Sequence, residues 1–270
     1  CMYSGEIQRN WYKIKGYRAM GEFKLYRDFL KDSLRKTIDF RASAQSRGVP
    51  VPPQQEPVDE ASPRISLPDR ESWSSVVEGI DLEKAIGNRR SRRNYNGDYL
   101  KVEELAFLLW STQGQRKPGE QSPHFRTVPS AGARHSFETY LFIHRVEKIA
   151  PGLYRYLPLS HELVFLYSTD NKSKNRLSQA VLGQRFVADS AVVFVWTTVP
   201  YRMEWRYLQA AHRVILLDAG HVCQNLYLAC EAIRAGACAI AAYDQEAMDD
   251  LIEVDGKNQF TVYLAPVGKY

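Results

Sequence analysis

Residues 191–198 read Ala-Val-Val-Phe-Val-Trp-Thr-Thr, and residues 213–235 read Arg-Val-Ile-Leu-Leu-Asp-Ala-Gly-His-Val-Cys-Gln-Asn-Leu-Tyr-Leu-Ala-Cys-Glu-Ala-Ile-Arg-Ala. The first stretch is short and nearly all apolar or β-branched, as a strand buried on both faces must be. The second is too long for a strand and apolar almost all round. It predicts a helix buried on several sides, at the centre of the molecule or at a subunit interface. Working outward from this pair, strands are expected at 138–144, 162–167, 237–243 and 260–267, and a helix at 173–183. Asp81 can cap a helix whose inward residues are Leu82, Ala85 and Ile86. Another runs from Val102 to Thr112, with Leu105, Leu108 and Leu109 inward and Gly114 as its stop. Helices with about five strands predict an α+β fold.

The chain ahead of this pattern is different. From Glu22 to Arg35, Phe23, Leu25, Tyr26, Phe29, Leu30 and Leu34 follow a helical period. Pro50, Pro52, Pro53, Pro57, Pro63 and Pro68 follow, six of the thirteen prolines within nineteen residues. Proline lacks a backbone donor, so this stretch is expected as an extended linker over a domain surface. The division expected is a helical extension and Pro-rich linker at 1–80 and the main domain at 81–270.

A chain of 270 residues, 44% apolar and 25% charged, can bury a large core and is neither disordered nor a disulfide scaffold. The net charge of +5 lies wholly in residues 1–93, which hold 18 Lys/Arg against 13 Asp/Glu; the remainder is balanced. A local excess of this size fits an anion site at least as well as a nucleic-acid surface, and no nucleic-acid partner is expected. The four cysteines contain no C-x-x-C pair, and Cys223, Cys230 and Cys238 are expected as free buried thiols. No run of eighteen apolar residues or signal-type segment is visible, so no membrane partner and a cytoplasmic location are expected. The chain opens on Cys1 rather than Met, which leaves room for residues upstream.

Arg89-Arg90-Ser91-Arg92-Arg93 is the sharpest local feature. Guanidinium groups this dense repel one another unless an anion joins them, and their planar fork matches phosphate oxygens. A solvated basic turn is the plainer alternative. Pro129-Ser130-Ala131-Gly132 holds only small side chains after its proline, which suits close backbone approach to a flat ligand or an ordinary turn. Asp218 and His221 have the spacing of a metal pair but no third ligand at a familiar distance, so no metal is expected and His221 reads as a satisfied buried histidine. A Gly-x-Gly-x-x-Gly fingerprint, a Walker loop and a Gly-x-Ser-x-Gly elbow are all missing.

In order along the chain, Arg-Arg-Ser-Arg-Arg-Asn-Tyr (89–95) resembles the entry motif of the nitroreductase family. Residues 105–114, 126–133, 138–140, 151–156 and 217–228 resemble its SagB-type dehydrogenase branch. The resemblance covers about residues 81–269. It implies a nitroreductase-like fold, with a mainly antiparallel central sheet flanked by helices, in an intertwined homodimer with FMN at the interface. By position, Arg89, Arg90, Ser91 and Arg93 would hold the FMN phosphate and ribityl chain, with Lys269 a weaker phosphate candidate. Pro129, Ser130, Ala131 and Gly132 would line the isoalloxazine ring from the partner chain. The backbone at Ala241 and Ala242 would approach flavin N5.

The implied activity is FMN-dependent oxidoreduction, moving hydride between NAD(P)H or another donor and a small organic acceptor. Azoline-to-azole oxidation of a peptide beside a cyclodehydratase is the alternative, and a degenerate flavin-free scaffold is a third. Two departures bear on the choice. Relatives that oxidise azolines carry a Lys-Tyr pair where this chain has Arg206-Tyr207, the catalytic candidates, and arginine is a poor general base. The glycine-rich stretch that usually follows reads Leu208-Gln-Ala-Ala-His212, so the loop there is expected to differ or to be helical.

Overall fold

The structure is a computed structural model that describes residues 23–116 and 125–270. Among the described residues the helices are α1 (Lys24–Leu30), α2 (Leu82–Asn88), α3 (Val102–Gln113), α4 (Asn171–Ala180), α5 (Tyr201–Tyr207), α6 (Ala211–Glu231) and α7 (Gln245–Leu251). The strands are β1 (Arg64–Ser66), β2 (Phe137–Ile143), β3 (Gly152–Leu157), β4 (Glu162–Ser168), β5 (Val192–Thr198), β6 (Ala235–Ala237) and β7 (Phe260–Lys269). They form one sheet in the order β1-β4-β3-β2-β5-β7-β6, and every pairing within it is antiparallel.

The centre is β5, buried along its whole length and paired with β2 on one side and β7 on the other. Its side chains alternate between two cores. Val192, Phe194 and Trp196 enter the core shared with α3 and α6. Val193 and Val195 enter the core shared with α4 and α7. Helices on both faces are why β5 carries no polar face to solvent, and each such side chain contributes on the order of 1.5–3 kcal/mol. The architecture is therefore α+β, as the pattern around 191–235 predicts.

Several local expectations change. The sheet has seven strands rather than five. β1 has three residues, too few to show a period. β3 puts Tyr154 and Tyr156 in one core and Leu153 in the other, so polar alternation is missing there too. The strand expected at 237–243 ends at Ala237; beyond it Ile240 pairs with Leu264 as an isolated bridge. Leu82 and Ile86 do not face inward: they are 66% and 56% exposed, while Ala85 is buried. The helical period at 22–35 becomes α1 followed by a 3₁₀ turn at Asp32–Thr37, with Leu25, Tyr26 and Leu30 exposed. Residues 8–21 lie outside the described residues. Cys223, Cys230 and Cys238 are free and buried.

The proline-rich stretch is an extended strap bound through its few remaining polar groups. Gln45 donates its backbone N–H to Trp205 O at 2.9 Å, and Trp205 Nε1 donates to Val49 O at 2.9 Å. Gln54 Nε2 donates to Ala133 O at 2.8 Å, and Arg126 donates to Gln54 O at 2.7 Å. Arg202 is buried between Glu138 (2.6 Å) and Glu56 (2.9 Å), and Glu56 N donates to the same Glu138 oxygen. Farther on, β1 adds an edge strand to β4, and Trp73 packs against Phe107 and Trp110. Residues 45–73 are thus attached to the sheet, to α5 and to α3.

Removing one partner of a buried ion pair strands the other charge. Glu138→Gln is expected to lower stability by about 3–5 kcal/mol, read from urea unfolding with an unchanged slope. A loss under about 1 kcal/mol would show that Glu56 alone suffices for Arg202.

Candidate functional site

The residues singled out in the sequence gather in two places, each held by one polar side chain of α6. The first surrounds Tyr227. Past the end of α2 the chain runs beside β6: Ser91 bridges Ala237, and Arg92 N donates to Ala237 O at 2.9 Å. Tyr95 donates its hydroxyl to Arg92 O (3.0 Å) or Pro266 O (3.1 Å), and Asn96 N donates to Lys269 O. The run is packed so closely that a Cβ on Gly236 would stand 2.5 Å from Arg92 Cδ. Ser91 Oγ lies 3.0 Å from the Tyr227 hydroxyl, which also accepts from Ala239 N at 2.7 Å. One phenol therefore joins the arginine run to the segment that carries Ala241 and Ala242.

The four guanidinium groups find aromatic rings and carbonyls rather than acids. Arg89 lies over Tyr227 (5.2 Å to the ring centroid), Arg92 over Tyr270 (3.6 Å) and Arg93 over Phe186 (5.8 Å). Arg90 donates to Gly87 O and Arg89 O at the α2 C-terminus. Among the described residues no carboxylate pairs with any of them. Buried Arg92 Nε has no hydrogen-bond partner. Ser91, Arg93, Ala241 and Ala242 are exposed. Lys269 differs: its ammonium contacts Glu104 Oε1 and Ile233 O, each at 2.5 Å, so its charge is committed behind the arginine run.

The second place surrounds Asp218. Its carboxylate accepts from Ser130 Oγ at 2.7 Å and Ala131 N at 3.2 Å, which fixes the Pro129–Gly132 loop against α6. Burial raises the Asp218 pKa above its ordinary value, and the two donated hydrogen bonds oppose that shift. Ser130 Oγ in turn accepts from His135 N. Gly132 has φ of 58°, and a Cβ there would lie 2.6 Å from the Tyr207 hydroxyl and 3.2 Å from Arg206 Nε. The structure thus brings Arg206 and Tyr207, at the end of α5, onto the small-residue loop. The departure from a glycine-rich stretch is visible in the backbone. Leu208 holds φ 49° and ψ −135°, a conformation that favours glycine, before a 3₁₀ turn leads into α6.

Asp218 and Tyr227 are nine residues apart on one helix. That spacing is about 13 Å along the axis and half a revolution around it. The arginine run and the Pro129–Gly132 loop of one chain therefore occupy opposite sides of α6. His221 corrects the sequence reading: it is exposed, because it falls on the outward stripe with Leu216, Leu217 and Gly220. Tyr227 and Arg134 have no assigned role in the sequence reading. Tyr227 lies inside the quoted 217–228 stretch but looks like any apolar helix residue until Ser91 and Ala239 meet its hydroxyl. Arg134 looks like one more surface cation.

Comparison with known proteins identifies the family and the fold. The family model described as Nitroreductase family matches residues 86–269. A curated protein of Methanocaldococcus jannaschii that carries a nitroreductase name is 29% identical over 205 residues, covering 76% of this chain and 96% of that one. Solved structures that carry nitroreductase names superpose with a TM-score of 0.62 from both Anabaena variabilis (24% identity, 78% of this chain) and Ralstonia eutropha (22% identity, 78% of this chain). The matched region spans 42% of the Anabaena chain and 91% of the Ralstonia chain. A chain of the Escherichia coli microcin synthetase McbBCD complex shares the fold at a TM-score of 0.56, with 20% identity over 71% of this chain and 74% of that one. The chain belongs to the nitroreductase family of oxidoreductases.

The contact at Gly132 yields a direct test. Gly132→Ala strains a left-handed residue and pushes on Tyr207, so the urea midpoint is expected to fall by the equivalent of about 1–3 kcal/mol. An unchanged midpoint would mean that the loop shifts freely and does not fix Tyr207.

Proposed function

We propose that the chain is an FMN-dependent oxidoreductase of the SagB-type branch. It moves hydride between NAD(P)H or another donor and a small organic acceptor, and it works as a homodimer. The observation that carries this reading is the run of four guanidinium groups with no carboxylate partner among the described residues. The buried, unpartnered Arg92 Nε adds to it. Such a donor set fits a phosphate. FMN, when bound, supplies the two-electron chemistry.

The chain's own residues supply position. Arg89, Arg90 and Arg93 bind the phosphate, with Ser91 donating from between them. The backbone at Ala241 and Ala242 and the Pro129–Gly132 loop have no bulky side chain to hold a flat ring away. Tyr207 offers its hydroxyl proton beside that loop. Lys269, paired with Glu104, supports the clamp from behind. The placement of clamp and loop on opposite sides of α6 supports a site completed by a second copy, whose loop meets the first copy's clamp. Leu216, Leu217, Leu82 and Ile86 are apolar and about half or more exposed, which supports their burial in that dimer. The strap around residues 45–56 acts as a cover for the α5 side of the site, since it touches both Trp205 and Ala133.

The branch resemblance also brings azoline oxidation into view, but it would need a base where Arg206 stands, and arginine stays protonated. Small-molecule acceptors are therefore favoured.

Purified protein is expected to be yellow, to release FMN identified by mass near one per chain, and to elute as a dimer. Replacing Arg89 and Arg93 together by Gln should weaken FMN binding by about 100-fold or more, as two charge-assisted contacts are lost. A colourless protein that takes up no added FMN would overturn the proposal.

A further inference from the structure

Beside the Pro129–Gly132 loop stands a second pair of cations, separate from the arginine run. Arg134 Nε donates to Gly132 O at 3.0 Å, and its guanidinium lies over the Trp205 ring at 5.3 Å. Arg206 approaches the same glycine from α5, its Nε 3.2 Å from where a Cβ would sit, and it flanks the Tyr207 ring. Neither guanidinium meets a carboxylate among the described residues. Glu204, the acid on the same helix, is held instead by His212 at 2.8 Å. Burial, and secondly the charge of Arg206, lowers the Arg134 pKa below its ordinary value. Two like charges directed at one residue cost free energy that a bound anion would return.

We infer that Arg134 and Arg206 form an oxyanion receptor beside Gly132, which selects substrates bearing a carboxylate or phosphate group. The inference rests on the reading of 129–132 as the loop beside the reacting ring. Arg134 is held by the Gly132 carbonyl and the Trp205 face, so part of its fork is already oriented. Arg206 reaches the same glycine from the end of α5. An oxyanion between them accepts from both forks and places the rest of the substrate next to the Tyr207 hydroxyl. Arginine at position 206 then has a role that does not require it to act as a base: it binds charge rather than moving a proton.

Two measurements on the full chain test the receptor. The first is thermal unfolding with benzoate or benzamide, a charged and a neutral probe of the same shape. Benzoate is expected to raise Tm in the wild type while benzamide does not. The shift should vanish in Arg134→Gln and Arg206→Gln and return in part in Arg206→Lys. The second is the ratio of kcat/KM for 4-nitrobenzoate over 4-nitrobenzamide. It is expected to fall by about tenfold in each Gln variant, as one charge-assisted contact is removed. The ratio for NADPH over NADH is read in parallel. A fall there instead identifies the oxyanion as the donor's phosphate, and a fall in the first ratio identifies it as the acceptor's carboxylate.

A benzoate shift that persists in both Gln variants, with neither ratio altered, overturns the receptor. The two readings fail separately. Protein that holds FMN but shows no benzoate shift keeps the flavin assignment and loses this one. Protein that shows the shift without binding FMN keeps the receptor and loses the flavin assignment.

Discussion

Burial of the central sheet on both faces is the constraint from which the rest of the molecule follows. β5 sends alternate residues into two separate cores, so neither face of the sheet is free to hold a ligand. Chemistry has to be built at strand ends, in loops and along the margins of α6. The sequence meets this demand by placing two polar side chains, Asp218 and Tyr227, among the buried apolar residues of α6. Asp218 ties down one loop through Ser130 and Ala131, and Tyr227 the other through Ser91, partners that come from 87 to 136 residues away.

The same constraint accounts for the character of the two loops. Around Tyr227 the chain is packed from behind by Tyr95, Gly236 and the Lys269–Glu104 pair, which leaves guanidinium groups on the outer side. Around Asp218 the residues are small, because Gly132 must admit the Tyr207 hydroxyl and Arg206 at close range. Backbone strain concentrates here as well. Gly132, Ala133, His135 and Leu208 all have positive φ, and strained residues persist only where their surroundings over-determine them. The strap supplies part of that surrounding through Gln54, and the Arg202–Glu138–Glu56 cluster fastens the strap to β2.

How much was legible in the sequence differs from element to element. The arginine run and the small-residue loop are visible as dense, unusual composition, and in the structure each is hydrogen-bonded to α6. β3 and β1 are not visible, since one lacks polar alternation and the other lacks length. Leu82 and Ile86 look like core by periodicity, yet one chain leaves them exposed. Periodicity reports that a face is apolar, not what will cover it.

By itself, then, the sequence determined the local states: a doubly buried strand, a long apolar helix, a proline strap, an unneutralised cluster of arginines and a loop without side-chain bulk. Each follows from interactions within a few residues. Tertiary structure alone decided which of these meet. That Ser91 finds Tyr227, that Ser130 finds Asp218, that Arg206 and Arg134 converge on Gly132, and that clamp and loop stand half a turn apart on α6 all depend on contacts between residues distant in sequence. The physical reason is that long-range pairing is set by how whole helices and strands pack, and no local pattern of residues encodes that partner choice.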